Sequence, residues 1–193
     1  MKRVFIASGI RYDLIGPEDR EYLTEVCAHH VSGHLKVAPE HVSERVLASM
    51  GKPSREAFDA FRERFEVLQE GGKKKRQYLV PYLMSGHPGC RIADMVELAE
   101  YVRDTGLYTE QVQDFTPTPM SISTTIYHTG LDPFTLEEVY VPIGREKRVQ
   151  RALMHYRDPA NYGLVCEGLR AAGREDLIGS AWKCLVPARR KKK

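Results

Sequence analysis

Short apolar runs alternate with segments of helical periodicity through the first 116 residues. Residues 4–7 read Val-Phe-Ile-Ala and predict a strand, and the next segment carries apolar side chains at the spacing of one helix face, at Tyr22, Leu23, Val26 and Cys27. The alternation continues along the chain. It predicts strands at 35–38, 77–84 and 112–115 and helices at 43–50, 54–70 and 92–105, the last closed by Gly106.

Strands that alternate with helices pair in parallel through right-handed crossovers. The pattern therefore predicts the α/β class, with four parallel strands that form a partial barrel, half of the eight strands of a complete one. A small open α/β sheet is the alternative. Since residues 4–7 carry no charge or proline to protect a sheet edge, we expect an upstream strand to pair with them, and we expect the isolated chain to self-associate.

The pattern changes at residue 117. Prolines become frequent, and only two helical stretches are predicted, at 146–156 and 162–172. We interpret 1–116 as the half barrel and 117–187 as a mostly helical and irregular carboxy-terminal extension that wraps it and includes a short docking segment at 177–186. Residues 188–193 are interpreted as a basic, disordered tail.

Composition narrows the class of protein. The 193 residues are 42% hydrophobic with a net charge of +3, much of it in the tail, so overall charge gives little support to nucleic-acid binding. The basic run at 71–76 is interpreted as a solvated loop. The apolar run near the amino terminus is too short for a signal peptide or a membrane span, which predicts a cytoplasmic protein without a membrane partner. Four cysteines without a CxxC pair predict reduced thiols.

Four unusual clusters follow the four predicted strands, at 8–13, 38–41, 85–90 and 116–119. In a parallel α/β layout ligands bind at the loops that leave the carboxyl ends of the strands. A turn needs glycine or proline, but it does not need the arginine, glutamate and histidine found here. We therefore predict a site at which Ser8, Arg11, Glu40 and His87 lie on one rim of the sheet.

Each candidate has a functional and a structural interpretation. Arg11 has a guanidinium that can bind a carboxylate through two hydrogen bonds, or it can form an ion pair with Asp13 or Glu40. Glu40 can accept a hydrogen bond from a ligand amine or a ribose hydroxyl, or it can cap the helix that starts near Ser43.

The turn at 85–90 supplies the remaining candidates, Ser85, His87 and Gly89. Gly86 and Gly89 permit a flat ring to approach the backbone closely, and His87 adds a titratable group; a plain loop turn is the alternative. His29, His30, His34 and His41 do not have the spacing of a metal site, because Ser32-Gly33 interrupts the helix between them, and no metal ligand is predicted.

Several ordered strings resemble the YgiQ-type radical S-adenosylmethionine (SAM) proteins. VFIASGIRYDL at 4–14 is similar to their fourth-strand segment, and LKVAPEH with MGKP at 50–53 is similar to their fifth strand and its helix. Residues 78–89 resemble the sixth strand, and 111–119 with YHTG at 127–130 resemble the next stretch. The pieces at 148–156, 177–179 and 183–187 resemble the carboxy-terminal region of the family.

This resemblance implies a partial barrel that binds SAM against a [4Fe-4S] cluster and cleaves it reductively. No CxxxCxxC motif occurs in the chain, so the cluster ligands of the full-length family are absent, and we expect neither a stable cluster nor SAM cleavage by this chain alone. The implied partner is the missing amino-terminal half of the barrel, and the substrate is not identified. The alternative is a non-catalytic binding module, with RNA as a less favoured partner. A hydrolase or transferase is disfavoured because no nucleophile elbow, Walker loop or GxGxxG motif occurs.

Overall fold

A computed structural model describes residues 4–70, 76–107 and 112–188. The described part is a mixed α/β structure with a three-stranded sheet in the order β1-β2-β3 and seven α-helices. The strands are β1 (His34–Glu40), β2 (Tyr78–Ser85) and β3 (Val112–Asp114). The helices are α1 (Arg20–Glu25), α2 (Glu44–Met50), α3 (Arg55–Glu70), α4 (Ile92–Thr105), α5 (Ile122–Thr129), α6 (Gly144–Met154) and α7 (Tyr162–Ala171).

The chain divides into two compact units. The first comprises Met1–Leu83 with Thr109–Gln111, and the second comprises Met84–Tyr108 with Val112–Lys193. The predicted boundary at residue 116 stays a prediction, as does the partial barrel. Among the described residues, no helix combines the length and the apolar character needed to cross a bilayer.

In the first unit, β1 and β2 pair in parallel, with Leu35 opposite Leu79 and Val37 opposite Pro81. This confirms the predicted parallel pairing of these two strands. Alternate residues of β1 are buried, as expected for a strand with one face on a core. Helix α3 buries Phe58, Phe61 and Phe65, which are spaced three and four residues apart and so lie on one face.

The strand predicted at 4–7 is wrong. Residues 4–9 are irregular, and the segment reaches β1 through a lone parallel bridge between Ile10 and Val37. The amide of Ile6 donates to the His30 carbonyl at 2.9 Å, and His30 belongs to a π-turn (Val26–His30) rather than to a strand. An apolar run becomes a strand only where a neighbour offers a continuous ladder of hydrogen bonds, and that ladder is not formed here.

The second unit is mostly helical. Helices α6 and α7 pack closely. A Cβ added to Gly168 of α7 would lie only 2.8 Å from Cγ1 of Val149 of α6, so the contact requires glycine at this position. Helix α4 contacts both of them and contributes Met95 and Leu98 to the core. The predicted helices in this region are confirmed to within two residues at each end, and Gly106 ends α4 in the left-handed conformation with φ 68°.

The extension contains an element that the sequence pattern did not predict. Helix α5 begins after Ser121, whose hydroxyl oxygen accepts a hydrogen bond from the Thr124 amide at 3.3 Å. Its eight residues include three threonines and one serine, which have modest helix propensity, so the cap and the burial of Ile126 stabilise it.

The predicted docking segment at 177–186 forms a bridge between Ile178 and Val186. Most of the basic run at 71–76 and of the tail lies outside the described residues.

Candidate functional site

Two polar clusters follow the ends of strands, one in each unit. The cluster of the first unit lies where β1 ends at Glu40. This residue has φ 65°, and the register of β1 against β2 shifts between Val37 and Glu40. A left-handed backbone is costly for a residue with a side chain, so the surrounding structure must hold it there. Such a position at a strand end is typical of a functional site.

Arg11 is paired with Asp13. Its Nε and Nη2 atoms donate to the two carboxylate oxygens of Asp13 at 2.9 and 2.6 Å, while the Arg11 side chain is 73% exposed. The hydrogen bonds from Arg11 hold the pKa of Asp13 below its ordinary value. Of the two predicted roles, the ion pair with Asp13 is therefore formed, and the guanidinium stays accessible to solvent.

Glu40 faces Lys52, which follows α2. The Lys52 Nζ lies 3.5 Å from Oε1 of Glu40 and donates to the Ala38 carbonyl at 3.2 Å. Burial raises the pKa of Glu40, and the ammonium of Lys52 opposes that shift. At the predicted helix cap, the Ser43 amide donates to Nδ1 of His41 at 3.0 Å. Glu40 and Lys52 thus form a half-buried charge pair at the end of β1.

A small cavity of about 200 Å³ lies beside these residues and is lined by Ile10, Arg11, Tyr12, Asp13, Ala38, Gly51, Lys52 and Pro53. Tyr12 is 3% exposed, and its ring packs on Phe58 and Phe61. Its hydroxyl has no hydrogen-bond partner among the described residues, and burial raises its pKa to about 12. The phenol is therefore protonated at neutral pH and able to donate to a ligand. Ser8 is exposed, and neither Ser8 nor Glu40 is among the lining residues.

The cluster of the second unit is the loop Ser85–Cys90, in which every residue is buried. The Ser85 hydroxyl donates to Oδ1 of Asp114 at 2.6 Å. The other oxygen of Asp114 accepts from Nη1 of Arg151 at 2.6 Å. The predicted candidate Ser85 thus begins a chain of polar contacts that leads to α6.

The two glycines of this loop have their amides hydrogen-bonded to the extension. Gly86 donates to Oε1 of Gln150 at 3.0 Å, and Gly89 donates to the Tyr140 carbonyl at 2.6 Å. Gln150 is fully buried, and its Nε2 donates to the Cys90 carbonyl at 2.9 Å. One side-chain amide therefore joins both ends of the loop. A ring approaching this turn would meet backbone whose N–H groups are already in use.

His87 is buried between this loop and α5. Its Nδ1 lies 2.6 Å from the Pro88 carbonyl oxygen, and its Nε2 lies 2.8 Å from Oγ of Ser123. The ring meets that of Phe115 edge to face, with centroids 5.1 Å apart. Burial lowers the pKa of His87, so the imidazole is neutral at pH 7.

The structure places the predicted residues in two separate groups. Arg11 and Glu40 lie near Tyr12 and Lys52 in the first unit, while Ser85, His87 and Gly89 share one loop of the second. The single rim proposed for them stays a prediction. Sequence reasoning missed four residues that contact these groups: Tyr12, Lys52, Ser123 and Gln150. For Gln150 there was a signal, because it lies three and four residues before Leu153 and Met154 and therefore on the apolar face of the predicted helix.

The thiols are separated. No group of three or more potential metal ligands occurs among the described residues. Cys90 and Cys166 are buried, and burial raises the pKa of Cys27 to about 11, which keeps this thiol protonated. Nothing in the described part of the chain has the donor set that an iron-sulfur cluster requires.

Comparison with known proteins extends this description. A domain of unknown function (DUF3362) matches residues 110–193. Over 96% of its length the chain is 59% identical to a UPF0313 protein of Methanosarcina mazei, and over its full length it is 58% identical to one of Methanosarcina acetivorans. A UPF0313 protein of Clostridium perfringens is 53% identical over 96% of the chain. The chain spans only 30%, 26% and 28% of the length of these relatives.

Proposed function

The close homologues of this chain are UPF0313 proteins, the YgiQ family, as its sequence motifs predicted, and we propose that it is the carboxy-terminal portion of a radical SAM enzyme. In this proposal the chain contributes contacts to SAM and to a substrate, and the amino-terminal part of the family protein supplies the cluster. The high identity over the whole chain and the small share of each relative that it covers support this assignment.

The observation that carries the proposal is the cavity beside Tyr12. Tyr12, whose buried hydroxyl has no hydrogen-bond partner among the described residues, lines this cavity together with Lys52. Lys52 in turn lies 3.5 Å from Glu40, whose backbone is strained at the end of β1. The cavity of about 200 Å³ is smaller than the roughly 300–1,000 Å³ typical of ligand pockets, so it fits one end of SAM rather than the whole molecule. Its donors suit a carboxylate or a ribose hydroxyl.

Each residue then has a defined role. Arg11 exchanges its hydrogen bonds from Asp13 to the ligand carboxylate, which is feasible because both side chains reach solvent at this point. Tyr12 donates one hydrogen bond, and Glu40 accepts one from an amine or hydroxyl. When bound, SAM supplies the sulfonium whose carbon–sulfur bond is cleaved. The described residues do not provide the ligands of a [4Fe-4S] cluster, since no three potential ligands lie together among them.

A chimera tests the proposal. This chain replaces the matching segment of the Methanosarcina mazei relative, and the protein is reconstituted anaerobically with iron and sulfide. We expect release of 5'-deoxyadenosine from SAM on reduction. Tyr12→Phe should raise the KM for SAM about fivefold, the loss of one hydrogen bond of about 1 kcal/mol. Tyr22→Phe, at an exposed tyrosine of α1, is the matched control and should not change KM.

The unmodified relative serves as the reference for cluster content and folding. A relative that assembles its cluster but does not cleave SAM contradicts the radical SAM assignment. A chimera that matches the relative in activity but is insensitive to Tyr12→Phe contradicts the assignment of the cavity. The isolated chain, treated in the same way, should retain no stoichiometric iron, since the described residues place no three ligands together.

A further inference from the structure

The hydrogen bonds of His87 fix its tautomer. A carbonyl oxygen can only accept, so the contact of 2.6 Å with the Pro88 oxygen requires that Nδ1 carry the proton. Nε2 of the neutral ring then has a lone pair, and the Ser123 hydroxyl at 2.8 Å must donate to it. A serine hydroxyl that donates to an imidazole, itself oriented by a third group, is the arrangement of an activated nucleophile.

The surroundings of the pair favour the neutral ring. His87 is 3% exposed and packs against Phe115, whose ring in turn contacts that of Tyr127 at 5.7 Å. Lys147 of α6 lies beside these rings: its Nζ donates to the Phe115 carbonyl at 2.6 Å and lies 5.9 Å from the centroid of the Tyr127 ring. Burial is the main cause that lowers the pKa of His87, so the imidazole is held in its neutral form.

Ser123 is the second residue of α5 and follows the capping residue Ser121 by two positions. The Thr124 amide is bonded to Ser121, but the helix dipole places a partial positive charge at this end of the helix. That charge stabilises an oxyanion that forms on an atom bonded to Oγ of Ser123. The hydroxyl is thus flanked by a base on one side and by the positive end of a helix on the other.

Two exposed apolar residues lie close to Ser123 in the sequence. Met120 is fully exposed and Ile122 is half exposed, and they flank the turn from which Ser123 projects. Met120 also has φ 69°, so the turn is held in a conformation that a residue with a side chain rarely adopts. An electrophile with a small apolar group would contact these two side chains while its carbonyl carbon reaches Oγ.

We propose that Ser123 is a nucleophile with His87 as its general base, and that this pair acts on carboxylic esters with a small apolar acyl group. The inference concerns residues of the second unit and does not depend on SAM. The pair formed by Ser123 and His87 is recognised by its geometry, since no nucleophile-elbow motif marks Ser123 in the sequence.

Oγ of Ser123 forms a bond to the ester carbonyl carbon, and its proton moves to Nε2 of His87. The bond from that carbon to the alcohol oxygen then breaks, and the alcohol leaves with the proton from the imidazolium. Water attacks the acyl-serine with His87 again as base, which releases the carboxylic acid and restores the hydroxyl.

Labelling with an alkyl fluorophosphonate tests the proposal, since this probe forms a phosphorus–oxygen bond to an activated serine and releases fluoride. We expect modification of the peptide that contains Ser123 by mass spectrometry, and hydrolysis of p-nitrophenyl acetate. Ser123→Ala should abolish both. His87→Gln, which keeps a polar side chain but no base, should slow labelling roughly 100-fold or more. Thr125→Ala, at an exposed position of the same helix, is the matched control and should label like the wild type.

The pH dependence of the labelling rate distinguishes a nucleophilic role of Ser123 and His87 from a purely structural one. Labelling should rise with pH to a plateau, with its midpoint below the ordinary histidine value of 6.5, because burial lowers the pKa of His87. Melting curves of each variant check that folding is retained. The proposal is overturned if Ser123 stays unlabelled in the folded wild-type chain, if a folded His87→Gln variant labels at the wild-type rate, or if labelling rises steadily to alkaline pH as for an ordinary hydroxyl.

Discussion

The two strand-end clusters satisfy their polar groups in opposite ways. At the end of β1, Arg11 is paired with a residue two positions away and stays largely exposed. In the loop Ser85–Cys90, the backbone is buried, and Gly86 and Cys90 are bonded to a side chain 64 and 60 residues away. Both loops follow strand ends and have similar sequence character, and a cavity lined by Arg11, Tyr12 and Lys52 lies beside the first.

This difference indicates which groups a ligand can use. A short-range ion pair at the surface exchanges easily for a ligand, because it is weak and remains hydrated. Buried amides that are already paired are costly to separate, so the loop is a rigid support. In that loop, the chemistry available to a reactant is carried by the pair formed by His87 and Ser123.

The largest loss of folding stability is expected for Gln150→Leu. The change leaves the Gly86 amide and the Cys90 carbonyl buried without their partner, and each unpaired group costs about 1–3 kcal/mol. We expect the free energy of unfolding to fall by about 2–4 kcal/mol in a urea titration. Gln113→Leu, at an exposed position of β3, is the control and should change it by less than about 0.5 kcal/mol. Equal effects of the two changes would contradict the role of Gln150 as the link between the loop ends.

Gly86→Ala is expected to cause the next largest loss of folding stability. Gly86 and Gly106 both have left-handed backbone, with φ 72° and 68°, which costs an alanine about 1–2 kcal/mol. A Cβ at Gly86 would also lie 2.8 Å from Cε of Lys147, whereas open space surrounds that position at Gly106. Thermal melts should therefore show a greater loss of stability for Gly86→Ala than for Gly106→Ala. The reverse order would show that Lys147 does not pack over the loop.

Asp13→Asn is expected to lower the stability at neutral pH and to weaken its pH dependence in acid. The pKa of Asp13 is lowered in the folded chain, so its contribution is present above the unfolded value of 3.8 and is lost as pH falls through the folded value. Glu40 gives the opposite sign, because its pKa is raised: its protonation favours the folded state as pH falls toward 4.5. Denaturation midpoints measured from neutral pH downward should fall less steeply for Asp13→Asn than for the wild type. An unchanged slope would mean that the ion pair with Arg11 does not persist in solution.

Tyr12→Phe is expected to have the smallest effect on stability, within about 0.5 kcal/mol, because the hydroxyl that it removes has no partner to lose. In the chimera the same substitution should weaken SAM binding. The loss of this one oxygen atom should therefore reduce ligand binding while leaving the stability almost unchanged. A destabilisation of more than about 1.5 kcal/mol would reveal a structural partner for this hydroxyl and would count against a ligand role.

The sequence predicted most elements that carry their own signals. Helix α4 was predicted to the residue, because its apolar positions repeat with helical spacing and Gly106 terminates it. The sequence also indicated Arg11, Glu40 and His87 as candidate site residues, since a turn does not require such side chains for its own conformation. The run at 4–7 was predicted as a strand on propensity alone, and α5 was missed because its residues have little helix propensity.

Periodicity, capping residues and motif strings are local or ordered along the chain, and from them the sequence alone determined the α/β pattern and predicted the similarity to the UPF0313 proteins. Only the tertiary structure decided that the Tyr12 hydroxyl has no partner among the described residues, that Gln150 joins both ends of a loop, and that Ser123 donates to His87. These contacts link residues 36 to 64 positions apart, or depend on a partner that is missing. Nothing in a local window encodes such distances, because they arise from the packing of whole elements.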